Sequence, residues 1–360
     1  MRDFHGIDGV AERFIAAGYF PSAVVTVFDR SGTLYRKAYG ENAMPDGSIL
    51  RTNENTAFDM ASCTKIATAT QILLRIADGN LRLTDRVPEL LPETADMTDL
   101  YPRVRSVTVY QLLTHTSGLL NWFPFYTLET HTDPGEGSRR FLCCFDSIIA
   151  GTPIVRDMVY SDMNFMLLGL ILERIGGKPL FSCLEDLRSF LGAARMRYLA
   201  DPTEWEIAPS CYDNAIEEDM VAERGLRFDG WRPHGKPVIG CNDCNAHYFF
   251  GGVAGHAGIC ADADAFERLG RLYLTTEIEP LVSSTRDLEY GRGLGWAADP
   301  DLYPRGCGHT GFTGPSIWVS RELGIGAVAL TNRLAYPASH GTNTNEFRRA
   351  LAAEIVRTFR

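Results

Sequence analysis

The sequence predicts an α+β fold in which an antiparallel sheet is flanked by helices and interrupted by an inserted, mainly helical subdomain. Three observations predict it. Strand-like runs open the chain, helix-spaced apolar residues fill its middle, and strand character returns near the end before a last helical pattern.

Ser22–Asp29 (SAVVTVFD) and residues 33–39 (TLYRKAY) are rich in β-branched and aromatic residues, and Arg30, Ser31 and Gly32 separate them, which spells a β-hairpin. From residue 62 to about 79, Ile66, Ala69, Ile72, Leu73 and Ile76 recur at helical spacing and Gly79-Asn80 supplies a stop, so a long helix is expected to begin at Ser62. Between about 90 and 250, helical patterns at 109–114, 162–175 and 179–190 alternate with Pro- and Gly-bearing loops. Ser316–Ser320 (SIWVS) and Ile325–Thr331 (IGAVALT) then flank a turn at 322–324, and Asn345–Thr358 reads as a helical tail. The expected division is a sheet subdomain of residues 1–89 and 251–360, and a mainly helical subdomain of 90–250.

The 360 residues are 45% hydrophobic and 22% charged, enough for a substantial core and too ordered for a disordered or coiled-coil chain. A formal charge of -10 leaves no whole-chain electrostatic footprint for a nucleic acid or an anionic membrane. The longest apolar run, around Phe165 to Leu172, falls far short of the roughly 20 residues of a spanning helix. Asp3, Asp8, Glu12 and Arg13 stand where a secretory signal would be continuously apolar, so a cytoplasmic location or an already processed chain is expected. Nine cysteines, an odd number, fit a reducing compartment better than a disulfide framework.

The sharpest chemical signal is Ser62-Cys63-Thr64-Lys65. A spacing of three on a helix puts hydroxyl and ammonium on one face, so Lys65 can activate Ser62, and the helix N-terminus favours negative charge developing nearby. With 17 serines and four lysines, chance supplies about 0.2 such pairs, and the alternative is a capping serine with a solvated lysine. Tyr160-Ser161-Asp162 sits in the cap region of the next long helix and brings a phenol and a carboxylate to it. His309-Thr310-Gly311-Phe312-Thr313-Gly314 precedes a strand, and Gly311 and Gly314 would let a substrate backbone or acyl group lie against the strand edge. Cys241-x-x-Cys244-x-x-His247 has soft-ligand spacing but too few ligands for a structural zinc, so it reads as a loop with incidental thiols and no metal is expected. Gly293 to Ala298 only partly imitates a dinucleotide fingerprint, and Pro300 follows where a helix should continue; no cofactor is expected.

Ser62-x-x-Lys65, Tyr160-x-Asp162 and His309-Thr310-Gly311, in this order, resemble the serine β-lactamase and penicillin-binding protein superfamily, in particular its class C-like branch of peptidases and esterases. LLTHTSGL (112–119), residues 160–180, GGVAGHAGIC (251–260) and GHTGFTG (308–314) are similar to that branch as well. The resemblance implies a β-lactamase/transpeptidase-like fold with the active site in the cleft between the two subdomains. It also implies Ser62 as acylated nucleophile, Lys65 as its helper and Tyr160 as proton shuttle. Lys65 next to Tyr160 is expected to favour the phenolate, and desolvation to ease proton loss from Lys65. The backbone N–H groups of Ser62 and Phe312 are the expected oxyanion hole. Asp162, His309, Thr310 and Gly311 would bind substrate.

Two residues depart from the pattern. His309 replaces a frequent lysine and leaves no fixed cation for a substrate carboxylate, although Arg333 stands nearby; Asp162 replaces a frequent asparagine and cannot donate to a substrate carbonyl. Both favour an esterase or D-alanyl carboxypeptidase acting on a small-molecule or peptide substrate. The alternatives are a true β-lactamase and a non-catalytic penicillin-binding or sensing module.

Overall fold

In the computed structural model, residues 3–154, 157–278, 291–337 and 341–359 are described. Nine strands are defined among them: β1 Ser22–Asp29, β2 Thr33–Ala43, β3 Ile49–Arg51, β4 Phe58–Asp59, β5 Met196–Tyr198, β6 Ile259–Ala261, β7 Cys307–Thr310, β8 Ser316–Ser320 and β9 Ile325–Thr331. Six form one sheet in the order β3-β2-β1-β9-β8-β7, and β4-β6-β5 form a second, small one. Neighbouring strands of the large sheet all run antiparallel.

The sheet is covered on both faces because β1 and β9 carry apolar or small residues at successive positions, not alternate ones. Val24 and Phe28 of β1 point into the larger core, which includes Phe266 and Leu269 of the Ala263–Thr275 helix. Ala23, Val25 and Val27 point the other way, onto Ile7, Val10 and Phe14 of the His5–Ala16 helix and Phe347 and Leu351 of the Asn345–Thr358 helix. The result is three layers, helix on sheet on helix.

The hairpin, the β8–β9 pair and the C-terminal helix occupy the expected positions. The His5–Ala16, Pro134–Ile149 and Ala263–Thr275 helices and the small sheet are additions to the sequence reading. One expectation is corrected in detail. The long helix does not begin at Ser62: a single 3₁₀ turn, Ala61–Cys63, holds the serine, and the α-helix runs Thr64–Ala77. Ser62 is therefore not a capping residue, and no side-chain cap bond is made at that helix start. Among the described residues no helix is long and apolar enough to cross a membrane.

Candidate active site

Ser62 is presented on a strained turn. Ala61 sits at φ 43°, in the left-handed region that costs a non-glycine residue roughly 1–3 kcal/mol. The Asp59 carboxylate helps hold it there, accepting the Ala61 N–H at 3.2 Å and, on its other oxygen, the Asn242 N–H at 3.3 Å. Burial pushes that carboxyl up to about 7 despite both bonds.

Lys65 follows one turn later and is fully buried. Its ammonium donates to Ser62 Oγ at 3.0 Å and to the His256 carbonyl at 3.1 Å, and it pairs with Asp162 Oδ1 at 2.8 Å. The ammonium thus lies among a hydroxyl, a carbonyl and a carboxylate. Burial alone would drive the proton off, but the Asp162 and Tyr160 oxygens outweigh it and hold the amine above its ordinary pKa. The expectation that desolvation readies Lys65 to lose its proton is thus reversed by Asp162.

Tyr160 is similarly reversed. Burial raises its phenol above the usual value, more than Lys65 lowers it, so the phenol and not the phenolate is the resting form. Its hydroxyl lies beside Lys65 and Ser62 without an aligned hydrogen bond, and the ring is under the ammonium at 4.9 Å. The turn that carries it is fastened by His115, a buried residue at φ 59° whose Nδ1 accepts the Ser161 N–H at 3.0 Å and whose carbonyl accepts the Val159 N–H at 3.1 Å. His115 lies in the LLTHTSGL run, to which the sequence reading gave no role.

β7 is the outer strand of the large sheet and brings His309 and Thr310 to the same cleft. His309 is buried; its Nδ1 donates to the Thr310 carbonyl at 2.8 Å, and burial, with Arg292 and Lys65 nearby, holds the ring neutral. The glycines that follow allow close packing. A Cβ on Gly311 would lie 2.6 Å from the Met60 carbonyl, and one on Gly314 2.3 Å from Thr331 Oγ1. Gly311 thereby lets the turn close onto the strand that leads to Ser62, where Thr313 Oγ1 donates to the Asp59 carbonyl at 3.0 Å.

A cavity of about 710 Å³ opens here, lined by Ser62, Tyr160, His309, Thr310, Gly311 and Phe312. Lys65 lies behind that wall, and Asp162 is turned towards Lys65 instead of into the cavity. Sequence reasoning missed two cations that line the same cavity, Arg292 and Arg348. Arg348 is committed to the Gly311, Gly314 and Pro315 carbonyls. Arg333, considered from the sequence, also lines the cavity but donates to the Phe312 and Thr342 carbonyls. Arg292 lies 5.0 Å over the Tyr160 ring. Among the described residues one group of His, Cys, Asp and Glu converges closely enough to hold an ion, Asp162, Asp243 and His256, and the Lys65 ammonium already stands against it. Cys241, Cys244 and His247 do not join it.

Comparison with known proteins gives the family and the fold. The family profile described as Beta-lactamase matches residues 7–352. An N-acetylmuramyl-L-alanine amidase of Bacillus subtilis (strain 168) is 28% identical over 92% of this chain and 81% of its own. A putative D-alanyl-D-alanine carboxypeptidase of Escherichia coli (strain K12) is 24% identical over 91% of this chain and 82% of its own. Among solved structures, EstCE1, a hydrolase with promiscuous acyltransferase activity, superposes with a TM-score of 0.72 at 20% identity, over 97% of this chain and 98% of that one, which shows the shared fold.

Proposed function

The chain belongs to the Beta-lactamase family and is a serine hydrolase, and we propose that it forms its acyl-enzyme at Ser62 on a small acyl compound that carries a carboxylate next to the scissile bond. A D-amino-acid peptide is the substrate class this favours. The observation that supports the reading is the pairing of the Ser62–Lys65 contact at 3.0 Å with a cavity that arginine also lines. Residues 1–89 with 251–360 and residues 90–250 are proposed as the two parts that meet there.

In this reading the substrate carbonyl lies over Ser62 Oγ with its oxygen towards the Ser62 and Phe312 N–H groups. Tyr160, a neutral phenol beside the nucleophile, is placed to hand a proton to the leaving group. His309, being neutral, cannot anchor a carboxylate, and Arg292 takes that role; its planar fork suits a carboxylate better than a point charge would. The relatives named for amidase and carboxypeptidase activity support the same substrate class.

The test is parallel turnover of a D-alanyl-D-alanine peptide, p-nitrophenyl butyrate and nitrocefin by the wild type and Arg292→Ala. Loss of one charge-assisted contact is expected to raise KM for the peptide by roughly 10- to 100-fold, with a much smaller effect on the neutral ester. An equal loss on peptide and ester contradicts the carboxylate assignment. Turnover of none of the three by the wild type contradicts the hydrolase reading.

A further inference from the structure

Asp162 was expected to bind substrate, and it is turned to Lys65. It is the first residue of the Asp162–Gly176 helix, and its own N–H donates to the Asn121 carbonyl at 2.9 Å. Its Oδ1 lies 2.8 Å from Lys65 Nζ, which in turn lies 3.0 Å from Ser62 Oγ. We propose that Asp162 is a positioning residue that keeps Lys65 an ammonium and receives a proton through it, so that Ser62, Lys65 and Asp162 work as a serine–lysine–aspartate relay. This rests on the acyl-enzyme reading above.

The geometry carries the argument. An ammonium has no lone pair to offer, so Lys65 can accept the Ser62 proton only by releasing one of its own, and Asp162 Oδ1 is the carboxylate oxygen 2.8 Å away. Of the groups against it, the His256 carbonyl is not a base and Ser62 is the group to be deprotonated; the Asp162 carboxylate is the acceptor that remains. A Lys65 proton passes to Asp162 Oδ1, the amine turns its freed lone pair to the Ser62 hydroxyl and takes that proton as Ser62 Oγ bonds to the acyl carbon, and the carbonyl π pair moves onto oxygen. When that pair returns, the bond to the leaving group breaks; Tyr160 gives its phenol proton to the leaving atom and is reprotonated by Lys65, which takes back the proton held by Asp162. Protons and charge balance, and no further reactant is needed.

A second carboxylate supports the first. The ligand atoms of Asp162, Asp243 and His256 lie within 4.8 Å of one another. Asp243 accepts from His256 Nε2 at 3.0 Å and from the Ala246 N–H at 2.8 Å, which fixes the segment whose His256 carbonyl holds Lys65. The charged and titratable groups around the amine and its partner are therefore Tyr160, Asp243, His256, His115, His309 and Arg292. Burial holds both His115 and His309 neutral, so Asp162 and Asp243 supply the balancing anions.

The experiment is the pH profile of kcat/KM for p-nitrophenyl butyrate in the wild type and in Asp162→Asn, which keeps the shape and removes the charge. The relay needs the Asp162 carboxylate and a charged Lys65 together, so the wild type is expected to be flat through neutral pH. Without Asp162, burial lowers the Lys65 pKa and the neutral amine must act as base, so activity rises with pH and the acidic limb moves up by at least about two pH units. Asp243→Asn is expected to move it in the same direction by less, and serves if Asp162→Asn does not fold. An acidic limb that stays in place while Ser62 still takes a fluorophosphonate overturns the relay alone. Failure of wild-type Ser62 to take the label overturns the acyl-enzyme reading instead.

Discussion

Lys65→Ala is expected to lower kcat/KM toward short acyl esters by on the order of 10⁴-fold at pH 7, because it removes the group that carries the proton away from Ser62 and the charge that steadies the alkoxide. The loss comes in kcat more than in KM, since Lys65 lies behind the cavity wall and not on it. Stability falls as well. Lys65 is fully buried, and its removal leaves Asp162 and the His256 carbonyl without their donor. Breaking a buried pair in this one-sided way costs about 3–5 kcal/mol. Replacing both partners separates the two effects: Lys65→Met with Asp162→Leu is expected to recover most of the thermal stability and none of the activity. Recovery of turnover in the double variant would show that neither charge is needed.

Gly255→Ala is expected to be strongly damaging, although it adds a single methyl group. Its Cβ would lie 2.2 Å from the Phe165 carbonyl and 3.0 Å from Gly169 Cα, both backbone atoms of the Asp162–Gly176 helix, which cannot rotate aside. Overpacking of this kind costs about 1–3 kcal/mol, and backbone obstruction puts the change at the upper end. The displacement also reaches the chemistry. Gly255 is held by Thr68 Oγ1 at 2.7 Å and precedes His256, whose carbonyl orients Lys65. Catalysis should therefore fall by more than the lost stability explains, measured as kcat/KM at a temperature where the variant remains folded. Gly9→Ala is the contrasting control: it lies in the His5–Ala16 helix with nothing within 4 Å of the added carbon, and should stabilise by roughly 0.5–1 kcal/mol. A Gly255→Ala protein that matches the wild type in both melting and turnover would contradict the close-approach argument.

The elements that could be read in the sequence are those whose burial is uniform along the chain. β8 and β9 have every residue buried, so their β-branched runs carry the signal without competition. The His5–Ala16 helix was legible too, through Ile7, Val10, Ala11 and Phe14 at one-face spacing, but that segment was read for export signals. The Ala263–Thr275 helix announces itself by the Asp262 cap, whose carboxylate accepts the Ala265 N–H at 2.9 Å. β5 and β6 are three residues each and owe their existence to pairing between distant segments, which no local pattern encodes.

At the site, Ser62 and Lys65 were legible because their geometry is local. The state of Lys65 was not. It depends on Asp162 and on the His256 carbonyl, which come from different parts of the chain, and one of them reverses the effect that burial alone would have. Arg292 escaped notice for the same reason: it stands in a glycine-rich stretch whose only local likeness was to an unrelated motif, and only the folded chain sets it over Tyr160.

The measurement that bears most directly on the central claim is the intact mass of the protein after incubation with a fluorophosphonate, with the adduct located by peptide mapping. One adduct on Ser62, absent from Ser62→Ala and slowed strongly in Lys65→Ala, is the predicted result. An adduct that persists in Ser62→Ala, or no adduct on the folded wild type, would contradict it.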